Sequence, residues 1–137
     1  MFEHCLYFNT TSLARKLERE WTKAFKPFNL TPPQAFMLRI VLERKSVLHN
    51  ALASELNISR STATRTLDGL QKLGYIIKSH STNDGREQII EPTYDALMIK
   101  DAINEASGNV TKEIKLVIGN DTFEKTVGGI KNVISSI

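Results

Sequence analysis

Apolar residues recur every three or four positions along the first part of the chain. Between residues 11 and 28 they fall at Leu13, Leu17, Trp21, Ala24 and Phe28. Charged residues fill the positions between them, so the spacing predicts an amphipathic helix with one buried stripe. The apolar residues 5–8 extend this pattern towards the N-terminus.

A second helix is predicted immediately afterwards. Thr31 precedes two prolines, and a threonine cap with proline in the first turn is a typical helix start. The helix runs to about Arg44 and is strongly apolar, which indicates a place in the core.

Residues 47–74 predict two short helices. The first carries Leu48 and Leu56, and Ser59 is a suitable cap for the second, which spans Arg60 to Leu73 before Gly74. One face of the second helix is apolar and the other is polar. The apolar face holds Ala63, Leu67 and Leu70, and the polar face holds Ser61, Thr64, Arg65, Asp68 and Lys72. This arrangement is typical of a helix-turn-helix.

Two strand patterns follow the helix-turn-helix. Residues 75–81 and 87–92 are rich in strand-forming residues, and residues 82–86 between them contain an Asp-Gly turn signal. A helix-turn-helix followed by a β-hairpin is a winged helix. The fold class predicted is therefore mainly α with a small β-hairpin wing.

Helical spacing returns at Thr93 and continues to the C-terminus. Residues 107–109, Ser-Gly-Asn, are predicted to interrupt or kink this helix, and residues 119–121 to end it. Asp121 and Glu124 are predicted to form a capping box for a last helix. Its apolar residues step by four, three and four, the spacing of a helix-helix seam: Phe123, Val127, Ile130 and Ile134.

Composition narrows the class of protein. The 137 residues are 41% hydrophobic and 24% charged with a net charge of +3, which favours one globular domain and permits nucleic-acid binding. No apolar run is long enough to span a membrane. The single cysteine and the absence of a signal-peptide pattern favour a cytoplasmic protein.

Enzymatic and metal-binding signatures are missing from the sequence. It contains no G-x-S-x-G, H-E-x-x-H, P-loop or G-x-G-x-x-G motif, and its histidines and cysteine lack metal-ligand spacing. We therefore expect neither catalysis nor a cofactor or metal, although an enzyme whose site is dispersed along the chain remains an alternative.

Several segments together resemble the MarR family of bacterial transcription factors. Residues 52–65, LASELNISRSTATR, resemble the family pattern L-A-x-x-L-x-[IL]-S-x-[SP]-x-[VA]-[ST]-R, and residues 67–76, LDGLQKLGYI, resemble L-x-x-L-x-x-x-G-[LYW]-[IV]. Residues 84–86, DGR, are similar to the D-x-R motif of the wing tip, and residues 30–34, LTPPQ, to the opening of the family's second helix. After the wing, the family's L-T-x-x-G is reduced here to Thr93.

The resemblance implies a homodimer bound to double-stranded DNA. Residues 31–93 would form the winged helix-turn-helix, and residues 1–30 and 94–137 the dimerisation helices of a single domain spanning 1–137. The expected function is a transcriptional regulator, a repressor, that binds a near-palindromic operator. A small-molecule effector, bound in a cleft between the dimerisation helices and the winged helix, would relieve the repression.

Seven residues are the predicted DNA contacts. Serine and threonine are poor helix formers, so their concentration over positions 59–64 argues against an ordinary solvated face. An arginine at a hairpin tip can enter the minor groove, and a nearby aspartate can orient it. The seven are Arg60, Ser61, Thr62, Thr64, Arg65, Asp84 and Arg86.

Three alternatives stay open at this point. The winged helix could be a protein-interaction module without DNA binding, or a peroxide-sensing repressor that uses Cys5, since some family members carry a redox cysteine in the first helix. A buried structural role is the more ordinary one for a cysteine. The aromatic residues Trp21, Phe25, Phe28 and Phe36 could line a ligand pocket, although such a stripe is more often plain core.

Overall fold

A computed structural model describes residues 1–80 and 87–137 of the chain. These residues form helices α1 (Leu6–Phe25), α2 (Pro32–Arg44), α3 (His49–Glu55), α4 (Arg60–Lys72), α5 (Tyr94–Ile118) and α6 (Asn120–Ser136), and strands β1 (Val47–Leu48), β2 (Ile76–His80) and β3 (Gln88–Pro92). A 3-10 turn at Lys26–Phe28 follows α1. The predicted fold class, mainly helical with a small antiparallel sheet, is confirmed.

Side-chain caps explain where three of the helices begin. The Thr31 hydroxyl accepts a hydrogen bond from the Gln34 N–H at 3.3 Å, and the Gln34 side chain accepts one from the Thr31 N–H at 3.0 Å. Ser59 caps α4 by accepting from the Thr62 N–H at 3.1 Å, and Thr93 caps α5. Each such cap stabilises its helix by about 1 kcal/mol. Because a cap involves residues only three positions apart, local sequence can predict these helix starts.

The sheet has one strand more than the hairpin predicted. Its order is β1-β3-β2, all antiparallel, with Val47 opposite Ile90 and Lys78 also opposite Ile90. Leu48 was expected inside the third helix, but it lies in β1, and α3 begins at His49. A strand of two residues is too short to show the alternation of apolar and polar residues that predicts a strand. Only its pairing with β3 defines it.

The core lies where α2 meets the rest of the winged helix. This helix contacts α4, α5 and β3 as well as α1. Its buried side chains pack against those of the helix-turn-helix and the sheet. The members of the core that are fully enclosed include Phe25, Met37, Leu38, Val41, Leu52, Ala63, Leu67, Leu70, Ile90 and Ile103. The predicted apolar face of α4 is therefore confirmed.

The predicted interruption at residues 107–109 is wrong. Helix α5 continues without a break from Tyr94 to Ile118. Ser107 is only 5% exposed and its hydroxyl is hydrogen-bonded to side chains of two other helices. The preference of Ser-Gly-Asn for turns is a local effect of limited size, and packing of this face of α5 overrides it.

The predicted capping box of the last helix is also wrong. Gly119 is the residue before α6, with φ +87°, and no side chain caps the helix. Asp121 lies inside the first turn, where its carboxylate pairs with the Lys125 ammonium at 3.0 Å. Glycine adopts positive φ at little cost, so the helix begins two residues earlier than the capping-box pattern indicated.

Within residues 1–80 and 87–137, no helix has both the length and the apolar character needed to span a membrane.

Candidate nucleic-acid interface

Helix α4 presents a polar face on the outside of the winged helix. Its Ala63, Leu67 and Leu70 side chains are fully buried, and the helix packs on α2, α3 and β2. The residues on the opposite side are exposed: Ser61, Thr64, Arg65, Asp68 and Lys72. The core thus fixes the axis and rotation of α4 and leaves one hydroxyl- and charge-bearing face free.

Hydroxyl groups cluster at the N-terminus of α4. The Ser59 hydroxyl donates to Thr62 Oγ1 at 2.9 Å and lies 3.2 Å from the Ser61 oxygen. Arg65 donates to Thr62 Oγ1 at 3.4 Å, which is a long and weak hydrogen bond. The Arg65 guanidinium therefore lies over the N-terminal turn, and within residues 1–80 and 87–137 it makes no strong hydrogen bond.

Arg60 is held by a chain of side chains from outside α4. Its guanidinium donates to the Asn50 side-chain oxygen at 2.6 Å, and the Asn50 amide donates to the Glu87 carboxylate at 3.2 Å. Asn50 belongs to α3, and Glu87 directly precedes β3. The start of α4 is thereby connected to both α3 and the base of the wing.

The single acidic side chain on this face, Asp68, is paired. Its carboxylate accepts a hydrogen bond from the Lys78 ammonium on β2. That hydrogen bond and the positive charge hold the pKa of Asp68 below its ordinary value. An unpaired carboxylate would repel a polyanion, and the ion pair removes much of that repulsion while it ties α4 to the sheet.

His49 is the titratable group buried behind the face. Its ring nitrogen Nε2 lies 3.4 Å from Thr64 Oγ1, and that hydroxyl donates to the Arg60 carbonyl at 2.9 Å. Burial lowers the pKa of His49 from its ordinary value of 6.5, and the positive charges of Arg60 and Lys78 lower it further against the opposing effect of Glu87. His49 is therefore neutral at neutral pH.

Acid should destabilise the fold through His49. A lowered pKa in the folded state means that the unfolded chain takes up the proton first. The free energy of unfolding should therefore be greatest above about pH 6.5 and decline as the pH falls below that value. His49→Gln keeps a hydrogen-bond donor for Thr64 but has no group that titrates in this range. We therefore expect its free energy of unfolding to fall less than that of the wild type between neutral and acidic pH.

The measurement is urea unfolding of both proteins at about pH 7.5 and about pH 5.5. The exposed His80, changed to Gln, is the matched control and should behave like the wild type. A difference in stability between wild type and His49→Gln that is the same at both pH values would contradict the assignment.

The structure places five of the seven predicted DNA contacts together on the N-terminal half of α4: Arg60, Ser61, Thr62, Thr64 and Arg65. Asp84 and Arg86 lie outside the described residues. Sequence reasoning missed Asn50, His49, Lys78 and Glu87, which support the face from other elements. Each is ten or more positions away from its partner on or behind α4, so no local spacing could have revealed them.

The terminal helices leave a large apolar surface uncovered. Of the predicted dimerisation residues, Phe123 is half-buried, while Val127, Ile130 and Ile134 are 40%, 40% and 59% exposed. Leu6 and Tyr7 of α1 line the same groove of about 550 Å³ as Ile130 and Ile134. An apolar patch of this extent is uncommon on a monomer.

A separate cleft opens between α2, α3 and α5. It has a volume of about 430 Å³ and is lined by Phe36, Arg39, Ile40, Leu56 and Asn104 among others. Of the aromatic residues considered for a pocket, only Phe36 faces this cleft. Phe25 belongs to the core, and Trp21 and Phe28 are partly buried against it.

The remaining candidate groups are simple. Cys5 is exposed, and its sulfur accepts a hydrogen bond from the Phe8 N–H at 3.5 Å at the start of α1. The ordinary buried role of a cysteine therefore does not apply to it within this chain. In the part of the chain that the structure describes, no group of three histidine, cysteine or acidic side chains is placed to hold a metal ion.

Comparison with known proteins agrees with this geometry. The model of the MarR family matches residues 30–88, which contain the helix-turn-helix and strand β2 and end at the first residue of β3. Residues 30–88 of this chain are therefore similar to the MarR family. The resemblance of residues 52–65 and 67–76 to that family is confirmed, because both segments lie inside the matched range.

Individual relatives extend the match beyond the helix-turn-helix. The organic hydroperoxide resistance transcriptional regulator of Bacillus subtilis is 27% identical over 96 residues, which cover 67% of this chain and 65% of that protein, just under two thirds of its length. The HTH-type transcriptional regulator MgrA of Staphylococcus aureus is 28% identical over 112 residues, covering 81% of this chain and 76% of MgrA.

Among solved structures, reduced AbfR bound to DNA superposes with a TM-score of 0.74 and 26% identity. The match covers 94% of this chain and 90% of AbfR. It therefore includes the terminal helices as well as the winged helix.

Proposed function

We propose that this protein is a member of the MarR family and a homodimeric transcriptional repressor that binds a near-palindromic operator in double-stranded DNA. The observation that carries the proposal is the exposed face of α4, where hydroxyls and arginines stand on a helix whose other face is sealed in the core. We infer that the protein has no catalytic activity and acts in the cytoplasm of a bacterium.

The chemistry of the face suits the major groove. Arginine can donate two parallel hydrogen bonds to guanine O6 and N7, and serine and threonine hydroxyls can donate to or accept from either base type. The N-terminal residues of a recognition helix are those that reach base edges. Ser61, Thr62, Thr64 and Arg65 occupy these positions in α4, and Arg60 stands beside them.

The charge distribution supports this orientation. Residues 59–88 carry five basic and three acidic side chains, whereas residues 89–137 carry five basic and seven acidic ones. A polyanion is attracted to the former segment and repelled by the latter. Asp84 and Arg86 belong to the basic segment, and their role at the wing tip stays a prediction from the sequence.

Dimerisation follows from the apolar surface of α1 and α6. A second copy of the chain would cover the seam of Phe123, Val127, Ile130 and Ile134 and the groove beside it. In this proposal residues 1–30 and 94–137 form the dimerisation region and residues 31–93 the winged helix. Two winged helices on a two-fold axis read a palindrome.

A small-molecule effector is proposed for the cleft between α2, α3 and α5. Asn104 belongs to the dimerisation region and Leu56 to the helix-turn-helix, and both line this cleft. A molecule bound there would touch both regions and could favour one relative arrangement over another. We expect such a ligand to weaken operator binding.

Selection from a pool of random duplexes tests the DNA-binding function. We expect the wild type to enrich a near-palindromic sequence after repeated rounds. A variant with Ser61 and Arg65 both changed to alanine should enrich none, because both side chains are exposed and both changes remove hydrogen-bonding groups from the face. Equal enrichment by both proteins would exclude α4 as the reading helix, whereas no enrichment by the wild type would favour the alternative of a protein-interaction module.

A peroxide sensor is the second candidate function. The exposure of Cys5 favours it, since an oxidant can reach the thiol. In the described residues, however, the hydrogen-bond partner of its sulfur is a backbone N–H and not a charged side chain. We therefore expect stoichiometric hydroperoxide to leave operator affinity unchanged.

The peroxide titration uses Cys5→Ser as its control. Both proteins should bind the selected duplex equally before and after oxidant, as measured by fluorescence anisotropy. Release of DNA from the wild type alone, reversed by added thiol, would establish the peroxide-sensing function instead.

A further inference from the structure

One buried hydroxyl joins three helices at the junction of the winged helix and the terminal helices. Ser107 lies in the middle of α5 and is 5% exposed. Its oxygen accepts a hydrogen bond from the Trp21 indole N–H of α1 at 3.0 Å and another from the Arg39 guanidinium of α2 at 2.9 Å. A hydroxyl oxygen has two acceptor sites, so both are used.

Arg39 adds a second link between α2 and α5. Its Nε donates to the Asn104 side-chain oxygen at 2.7 Å, and Asn104 lies one turn before Ser107 on the same face. The guanidinium also stands over the Phe36 ring, 5.1 Å from its centre. The Arg39 side chain is thus held by three contacts, and its two hydrogen bonds fix the orientation of the guanidinium relative to α5.

Besides these hydrogen bonds, the contact between α2 and α5 contains an ion pair, Lys100 with Glu43 at 3.6 Å, and apolar side chains that are buried on both helices. Apolar packing is nearly indifferent to small rotations, whereas hydrogen bonds weaken steeply when their angles change. Helix α2 packs on α4 and therefore moves with the reading face, while α1 and α5 belong to the terminal helices. Any rotation of the winged helix on those helices strains the bonds to Ser107.

We propose that Ser107 and Arg39 are positioning residues that set the spacing between operator half-sites. This inference rests on the proposed homodimeric binding of DNA. By holding each winged helix at one angle on the dimerisation helices, the bonds fix the distance and rotation between the two reading faces. One inserted base pair rotates a half-site by about a tenth of a turn, so a rigid dimer discriminates against it.

The experiment measures spacing preference with duplexes that share the selected half-sites and differ by two added base pairs. The wild type should prefer the selected spacing by about a hundredfold. We expect Ser107→Ala to reduce that preference to about tenfold, since a lost hydrogen-bond acceptor corresponds to roughly one factor of ten. Trp21→Phe, which keeps one aromatic ring and removes the indole N–H donor together with the second ring, should give a smaller reduction in the same direction, because the Arg39 bond to Ser107 remains.

Ile103→Val is the matched control for a general loss of stability. Ile103 is buried in the same helix, one turn before Ser107, and makes no side-chain hydrogen bond. It should keep the hundredfold preference. A positioning role is overturned if Ser107→Ala and Trp21→Phe both keep the preference, or if Ile103→Val loses it equally.

A failure of DNA binding and a failure of the positioning role give different experimental results. A wild type that enriches no duplex overturns the proposed function and this inference with it. A wild type that binds a spaced palindrome while all variants share its spacing preference overturns only the role of Ser107 and Arg39.

Discussion

Changing Arg65 to alanine should lower affinity for the selected operator by about tenfold to a hundredfold while affinity for a scrambled duplex falls much less. Among the described residues the partner of the exposed guanidinium is Thr62, through one long hydrogen bond of 3.4 Å, which a contact with a base edge can replace. A bidentate contact to guanine discriminates by about 1–3 kcal/mol. The loss is therefore concentrated on the correct sequence.

Lys72→Ala is the matched control for charge. Lys72 is exposed on the same helix but in its last turn, away from the N-terminal residues that reach bases. Its removal should weaken both duplexes alike and lower the salt slope by about one per subunit. Binding isotherms on both duplexes at several salt concentrations separate the two effects. Equal losses on operator and scrambled DNA for Arg65→Ala would show that Arg65 contacts phosphates and not bases.

Removal of residues 121–137 should have the other large effect. The deletion takes away most of α6 and with it the seam that contains Ile130 and Ile134. We expect a monomeric or aggregating protein whose operator affinity is lower by about a hundredfold or more, because two linked reading helices gain that much from their effective concentration. Sedimentation velocity gives the oligomeric state, and a truncated chain that remained dimeric would contradict the proposed interface.

A point variant tests the same seam without deletion. Ile134→Asp places a charge in the apolar surface and should favour the monomer, since burial of an unpaired charge is costly. Lys131→Asp, which changes charge on the same helix outside the seam, should leave the dimer intact. Matching behaviour of the two variants in sedimentation would exclude this face.

The elements that could be predicted are those with local signals. Thr31 and Ser59 cap α2 and α4 at the positions where their sequence context indicates helix starts. The apolar spacing of Ala63, Leu67 and Leu70 identified the buried face of α4, and hence its exposed one. These features depend on residues three or four positions apart, which sequence spacing records directly.

The features that could not be predicted depend on distant partners. Strand β1 exists only through its pairing with Ile89 and Ile90, some forty positions away. The continuity of α5 through Ser107 depends on Trp21 and Arg39. The support of Arg60 by Asn50 and Glu87 is of the same kind. The turn propensity of residues 107–109 favours a break in the helix, but the tertiary contacts of Ser107 stabilise the continuous helix instead.

The central claim is that a dimer of this chain binds a specific duplex through α4. An electrophoretic shift with the DNA upstream of its own gene tests it most directly. We predict that the wild type forms one discrete retarded complex, with two chains per duplex, in the presence of excess scrambled competitor DNA. The amount of this complex should be much reduced for Arg65→Ala. No retardation beyond that of scrambled DNA, or a complex that Arg65→Ala forms equally well, would contradict the account.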